Sequence, residues 1–384
     1  MIRGLLFFHV IIAGLTVSGQ TYSPKLNQKL AEIEHATTLV KEFESFGIKS
    51  HGSQAKTNTF NWLIDAYESY GYDSIRVDSF IQDGSVVRNV VVTKPGVSSK
   101  YIIVCGHYDT RNGPGANDNG SGVAAILETA RLIKDLKTNR CVIFINFDRE
   151  EDGFKGSNYH VWQVLGGQNC DTNLYMVLNI DQIGGSFGQP DNDKITCERD
   201  EENDPSFNNA LSYLLTDTIA SLCKLYTTLQ PEISNAFLSD YVPFEKQGYV
   251  ITGLYQSASD VFGHSLADTF GNMDTVSFKQ AVRLTMASTL YFAQVDSFVS
   301  VKEVVRSQFR LFPNPATDQI HVELKNEAES VELVDVFGRI VFFDKPSHPT
   351  TIINTTHVVS GSYFVRIVMK TGAVITSPVI IQHK

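Results

Sequence analysis

The chain has 384 residues, 42% hydrophobic and 19% charged, enough for two or three domains with full cores. Its net charge of -10 is uneven: residues 310–384 hold seven Lys/Arg against seven Asp/Glu, and subtraction leaves about -12 for residues 20–300. An acidic domain with no basic stripe excludes nucleic acid as a partner, and no stretch is apolar for long enough to span a bilayer.

Residues 1–19 read as a secretory signal: Arg3 is the charged start, Leu5 to Leu15 the apolar core, and Val17-Ser18-Gly19 the small-residue cleavage site. The plainer alternative is a buried N-terminal strand or helix. Export permits disulfides. Cys105 and Cys141 sit in apolar runs and read as buried thiols, whereas two of Cys170, Cys197 and Cys223 could pair.

Residues 25–46 and 54–70 show helical spacing of apolar positions, the second ending at Gly71. Ile75–Ile81 and Val86–Thr93 flank Asp83-Gly84 as a hairpin. Four short, continuously apolar runs follow: Tyr101–Cys105, Cys141–Phe147, Leu174–Ile180 and Val250–Tyr255. Such runs suit strands buried on both faces. Helical stretches at 121–137, 154–165, 206–223 and 275–295 alternate with them. The pattern predicts an α/β domain over 20–300, a mostly parallel twisted sheet with helices on both faces. The stretch Gly184–Pro205, with its acidic run from Glu198 to Asp204, reads as a solvated loop. Its acids lack a calcium-loop spacing, and lining a substrate cleft is the alternative. A linker is expected at 301–309. Beyond it, 310–384 reads as a small all-β sandwich with strands at Gln319–Leu324, Val331–Val336, Arg339–Phe343, Ser362–Met369 and Ala373–Ile381.

The polar residues fall where these strands end. His107, Asp109 and Asp118 follow the first apolar strand, Glu150 and Glu151 the second, Asp181 the third and His264 the fourth. Sites in open α/β sheets form beyond the carboxyl ends of the strands. Each residue alone has a duller explanation: a satisfied loop histidine, a helix-start acid, a turn or cap aspartate. Together, two His and several carboxylates at one edge suit a two-metal hydrolytic site. Asp118 is the natural bridge, and each ion then needs one His and one further carboxylate. Asp109 can accept the second imidazole N–H of His107. One of Glu150 and Glu151 can bind metal while the other takes a proton.

Five segments carry a resemblance. They are His107-Tyr-Asp109, Gly115-Ala-Asn-Asp118-Asn-Gly-Ser-Gly122, Glu150-Glu151-Asp-Gly153-Phe-Lys-Gly156-Ser157, Asn179-Ile-Asp181 and Gly263-His264-Ser-Leu-Ala-Asp268-Thr269. This series resembles the co-catalytic zinc aminopeptidase family, which includes secreted bacterial leucyl aminopeptidases and related glutamate carboxypeptidases, over roughly residues 36–295. The resemblance implies two Zn2+ per chain, one on His107, Asp118 and Asp181, the other on Asp118, Glu151 and His264. It implies Glu150 as general base acting on a metal-bridging hydroxide, Asp109 as the residue orienting His107, and no ligand role for His51. Two departures stand out. Ser239-Asp240-Tyr241 lacks the histidine common after Ser-Asp, and Arg149 replaces a small residue, where an inward guanidinium would lower the pKa of Glu150. Leu311-Phe-Pro-Asn-Pro-Ala316, Val334-Asp-Val-Phe-Gly-Arg339 and Ser360-Gly-Ser-Tyr-Phe-Val365 resemble the Por (type IX) secretion sorting domain; a carbohydrate-binding sandwich is the alternative.

The expected activity is an exported metallo-exopeptidase that acts on peptide or protein N-termini and meets the secretion machinery through its C-terminal domain. The expected route is through the periplasm to the cell surface or medium. Rival readings are a single-zinc glutaminyl cyclase, a carboxypeptidase of the same superfamily, and a non-catalytic binding domain. A free α-amine and an uncharged first side chain are expected of the substrate, with Phe187, Tyr241 and Phe244 as candidates for an apolar pocket.

Overall fold

The computed structural model describes residues 22–167, 171–200, 205, 208–295, 309–324, 327–335, 339–370 and 374–383. The expected signal at 1–19, residues 301–308 of the expected linker, Cys170 and part of the acidic stretch lie outside them. One compact unit covers Thr21–Val299 and another holds Ser300–Lys384.

The larger unit starts with three helices, α1 (Pro24–Leu30), α2 (Ala36–Ser45) and α3 (Gln54–Ser69), so the single helical pattern at 25–46 is broken in two. The hairpin β1 (Ile75–Gln82) and β2 (Ser85–Lys94) follows, closed with Gln82 opposite Ser85. Next come β3 (Tyr101–His107), α4 (Gly120–Ile133), β4 (Cys141–Phe147) and α5 (Lys155–Tyr159), which runs into a π-helical stretch at His160–Val164. Then follow β5 (Leu174–Ile180), β6 (Lys194–Arg199), α6 (Asn209–Tyr226), β7 (Gln230–Asn235), α7 (Val242–Glu245), β8 (Ile251–Gln256) and α8 (Thr275–Phe292).

The eight strands form one sheet in the order β1-β2-β4-β3-β5-β8-β6-β7. Its centre, β4-β3-β5-β8, is parallel, but β1, β2 and β4 pair antiparallel, as do β8 and β6. The sheet is therefore mostly parallel, as expected, with four parallel pairings against three antiparallel; it is mixed because a hairpin is added at one edge and the reversed pair β6-β7 at the other. The central strands alternate their side chains between two cores. Ile102, Val104, Val142, Phe144, Met176 and Leu178 pack under α1–α4, α6 and α8; Ile103, Cys105, Ile145, Phe147 and Val177 pack on the opposite face with Val161 and Phe244. Two buried faces per strand explain the unbroken apolar runs. Helix α4 lies deepest, with every residue buried except Arg131.

The stretch expected to be a solvated loop contains β6, and its Glu198 and Asp200 are buried. Cys105, Cys197 and Cys223 are buried free thiols, and Cys141 is a half-buried one. No helix among the described residues is long and apolar enough to cross a membrane.

The smaller unit has a three-stranded sheet of β9 (Phe309–Phe312), β10 (Gln319–Leu324) and β13 (Thr350–Asn354). Its second sheet has four strands: β11 (Ala328–Asp335), β12 (Ile340–Asp344), β14 (Gly361–Met369) and β15 (Val374–Ile381). Ile320, Val322 and Ile353 from one sheet share a core with Val331, Leu333, Val365 and Ile367 from the other, which makes it a sandwich.

Candidate metal centre

The site is built on the carboxyl ends of β3, β4, β5 and β8. His107 closes β3, and the chain then turns through a loop to α4. Gly115 makes this loop tight: its φ is +67°, and a Cβ there would lie 2.4 Å from the Asp118 carbonyl oxygen. Asn119 caps α4 by accepting from the Gly122 N–H at 2.9 Å, and its amide donates to the Ile180 carbonyl at 2.8 Å. That pair of bonds ties the start of α4 to the end of β5, so Asp118 and Asp181 are carried to the same place.

His107 Nε2 lies 3.3 Å from Asp118 Oδ1 and 3.3 Å from Asp181 Oδ1. His264 Nε2 lies 3.1 Å from Asp118 Oδ2 and 3.0 Å from Glu151 Oε2. The two oxygens of Asp118 thus belong to two different three-donor sets. Donors about 2.0–2.1 Å from a tetrahedral zinc are separated by roughly 3.3 Å, so both sets have spacings that fit the ion. Glu151 Oε1 is sealed from solvent without a hydrogen-bond partner, as expected of an oxygen placed for a cation.

The electrostatics point the same way. Burial pushes Glu150 up to about 10; His107 opposes this and Asp181, Asp240 and Asp109 add to it. Burial and Asp118 lift Glu151 to about 7, against the two histidines. Burial works against charge on His107, but Asp181, Glu150, Asp109 and Asp118 together drive its pKa up. So many acids in one buried place repel one another, and a cation among them relieves the repulsion.

Asp109 differs from its expected use. His107 Nδ1 is 3.1 Å from the Asp109 backbone carbonyl and 3.6 Å from its carboxylate, so the carbonyl is the nearer acceptor. The carboxylate instead accepts the backbone N–H of Glu150 at 3.0 Å and of Glu151 at 3.3 Å. It therefore holds the pair of glutamates in place. Arg149 is turned away from Glu150: its guanidinium pairs with Asp152 at 2.9 Å and Asp83 at 3.2 Å. His51 is exposed beside Ser85 and joins neither donor set.

Two supports were not read from the sequence. Asp268 accepts from the backbone N–H of Asn117 at 2.7 Å and of Asp118 at 3.0 Å, clamping Asp118. Ser239 Oγ donates to Asp181 Oδ2 at 2.6 Å and accepts from Asn179 at 2.8 Å. Asp268 lies within the His264 motif and Ser239 within the Ser239-Asp240-Tyr241 segment, so the place of both near the site was open to sequence reasoning, but neither segment indicates these hydrogen bonds.

The donor sets open into a cleft of about 1050 Å³. Glu150 faces it, and its walls include Phe154, Phe237, Leu238, Tyr241 and Tyr255. Of the expected apolar pocket only Tyr241 lines this cleft; Phe244 is fully buried against Phe147 and Tyr249, and Phe187 lies elsewhere on the surface.

Residues 89–289 match peptidase family M28, and residues 310–382 match a secretion system C-terminal sorting domain. The first match spans more than half of the sequence, and the chain belongs to peptidase family M28. A probable zinc metalloprotease of Leptosphaeria maculans is 27% identical over 202 residues, covering 45% of this chain and 46% of the relative. The chain spans about half the length of the curated relatives it matches. Among solved structures, the LapA aminopeptidase of Legionella pneumophila aligns with a TM-score of 0.60 at 21% identity, over 71% of this chain and 77% of that one. Glutaminyl cyclase of Porphyromonas gingivalis aligns with a TM-score of 0.53 at 18% identity, over 67% and 97%. These two likenesses concern the fold alone.

Proposed function

We propose that the protein is an exported aminopeptidase with two zinc ions per chain, one held by His107, Asp118 and Asp181 and the other by Asp118, Glu151 and His264. The observation that carries this reading is the division of the Asp118 oxygens between two imidazoles, at 3.3 and 3.1 Å. Zinc bound there would supply a Lewis acid for the scissile carbonyl and lower the pKa of water.

The chain's own groups do the rest. Asp268 and Asn119 fix the bridging residue, and Ser239 fixes Asp181. Asp109 holds Glu150 through its backbone N–H, leaving the Glu150 carboxylate free in the cleft. Glu150 takes a proton from the attacking water and returns it to the leaving amine. The acidic cleft favours a substrate that presents an ammonium group. No Lys or Arg occurs among the described residues that line it, which opposes a carboxypeptidase, whose substrate presents a carboxylate.

A second reading is a single-zinc cyclase acting on N-terminal glutamine. It draws on Asp118, Glu151 and His264 being a complete three-donor set without His107. The test is hydrolysis of aminoacyl amides beside their N-acetylated forms and conversion of glutaminyl peptides. The aminopeptidase reading expects release of free amino acid from unblocked substrates only. Cyclisation without hydrolysis would replace it with the second reading. Export through the periplasm to the cell surface or medium is proposed from the sorting-domain match at 310–382.

A further inference from the structure

We propose that Glu198 is a specificity-determining residue, and that it selects substrates whose first side chain is basic, lysine or arginine. This deepens the aminopeptidase reading and rests on it. Glu198 lies on β6, in the stretch that reads as solvated from sequence, yet it is only 6% exposed and lines the cleft.

Its position follows from sheet register. Glu198 is opposite Gly253 of β8, and Gly253 is opposite Asn179 of β5, two residues before Asp181. Partners in register share a face, as do residues two apart on a strand, so Glu198 and Asp181 point to the same side of the sheet. Two strand spacings of about 4.8 Å separate their strands, so the Glu198 carboxylate lies roughly 10 Å to the side of the donor sets. That is too far for the α-ammonium of a substrate whose carbonyl sits at the donors. It is within reach of a four-carbon side chain ending in a cation.

The space for this carboxylate is built. Gly253 has no side chain, and a Cβ there would lie 2.5 Å from Glu198 Oε2 and 3.0 Å from the Tyr241 ring. Tyr241 donates its hydroxyl to Glu198 Oε1 at 3.0 Å, while Oε2 takes no hydrogen bond among the described residues. Two residues before Tyr241, Ser239 holds Asp181, so one loop positions both the donor set and the distal acid. Burial pushes Glu198 up to about 8, against the Tyr241 hydrogen bond and with Asp181 adding. A desolvated carboxylate with one neutral donor is costly, and a substrate cation both ionises it and completes its bonding. Phe237 and Leu238 flank the route and suit the aliphatic stem of lysine or arginine. The apolar wall thus ends in a carboxylate, which favours a charged first side chain over the uncharged one expected from the sequence.

The test uses the zinc-loaded full chain and compares kcat/KM for lysyl, arginyl, leucyl and phenylalanyl 4-nitroanilides in wild type, Glu198→Gln and Glu198→Leu. The wild-type lysyl-to-leucyl ratio should exceed one, fall at least about tenfold in the isosteric Glu198→Gln, and invert in Glu198→Leu. A wild-type ratio below one, or a loss shared equally by all four substrates, overturns the proposal. Equilibrium titration with lysinamide and leucinamide reads the same subsite without turnover. Tighter binding of lysinamide that disappears in Glu198→Gln supports it, and equal binding of the two amides overturns it. Failure to hydrolyse any of the anilides counts against the peptidase reading, and the titration then decides the role of Glu198 by itself.

Discussion

Glu150 and Glu151 are chain neighbours whose backbone N–H groups share the Asp109 carboxylate, yet their side chains part company. Glu151 turns one oxygen to His264 at 3.0 Å and seals the other, while Glu150 belongs to neither donor set. Glu150→Gln should therefore keep the metal and lose turnover by ~10²–10⁴-fold, since a glutamine has the shape but cannot take the proton. Glu151→Gln should instead weaken metal binding. Metal content and kcat measured on both variants check the division, and the reverse pattern would mean the roles are exchanged. Asp268 supplies a third prediction at this scale. An asparagine there would keep one acceptor but set an amide N–H against the other backbone donor, so Asp268→Asn should lower zinc affinity by about 10–100-fold without touching the ion. Competition with a chromophoric chelator measures it; unchanged affinity would show that the Asn117–Asp118 backbone holds itself.

Elements differ in how well the sequence announces them. The strands β3, β4 and β5 were legible because both of their faces are buried, which forces a continuous apolar run. Their carboxyl ends in turn placed His107, Glu150, Glu151 and Asp181 at one edge. Strands β6 and β7 were not legible. β7 is an edge strand that exposes Gln230 and Glu232 to Asn235, and β6 carries Lys194, Glu198 and Arg199 among its six residues. The stretch holding β6 reads as a loop for its polarity, and that hid Glu198; β7 has no apolar run to announce it. The short helix α5 and its π-helical continuation carry another prediction. His160 Nδ1 lies 2.9 Å from Asp78 on β1, both buried. Burial holds His160 below its ordinary value of 6.5, against the pull of Asp78. The unfolded chain then takes up this proton more readily than the folded one, so stability falls as pH drops below 6.5, until the folded-state pKa is reached. The Asp78 carboxyl, although burial raises it, is held below its ordinary 3.8 by His160 and Arg76, and its contribution is lost as pH falls through that lowered value. Urea midpoints at pH 7 and pH 5 should differ less in His160→Gln than in wild type. An equal difference in the two proteins would remove His160 from the account.

At the scale of the whole molecule, the two units have separate cores, one spread over both faces of the eight-stranded sheet and one between the two C-terminal sheets. The composition break near residue 300 was readable because charge and periodicity change there together. A chain of residues 20–300 should therefore fold and hydrolyse substrate, while its loss of 310–384 should abolish export. A stable, zinc-loaded but inactive product would require the C-terminal unit in catalysis. The central claim is that one carboxylate, Asp118, serves two ions. Its most direct measurement is zinc per chain at saturation, by elemental analysis of wild type and His107→Ala. Two zinc ions in wild type and one in His107→Ala are predicted; a single ion in wild type at saturation would contradict the two-metal account.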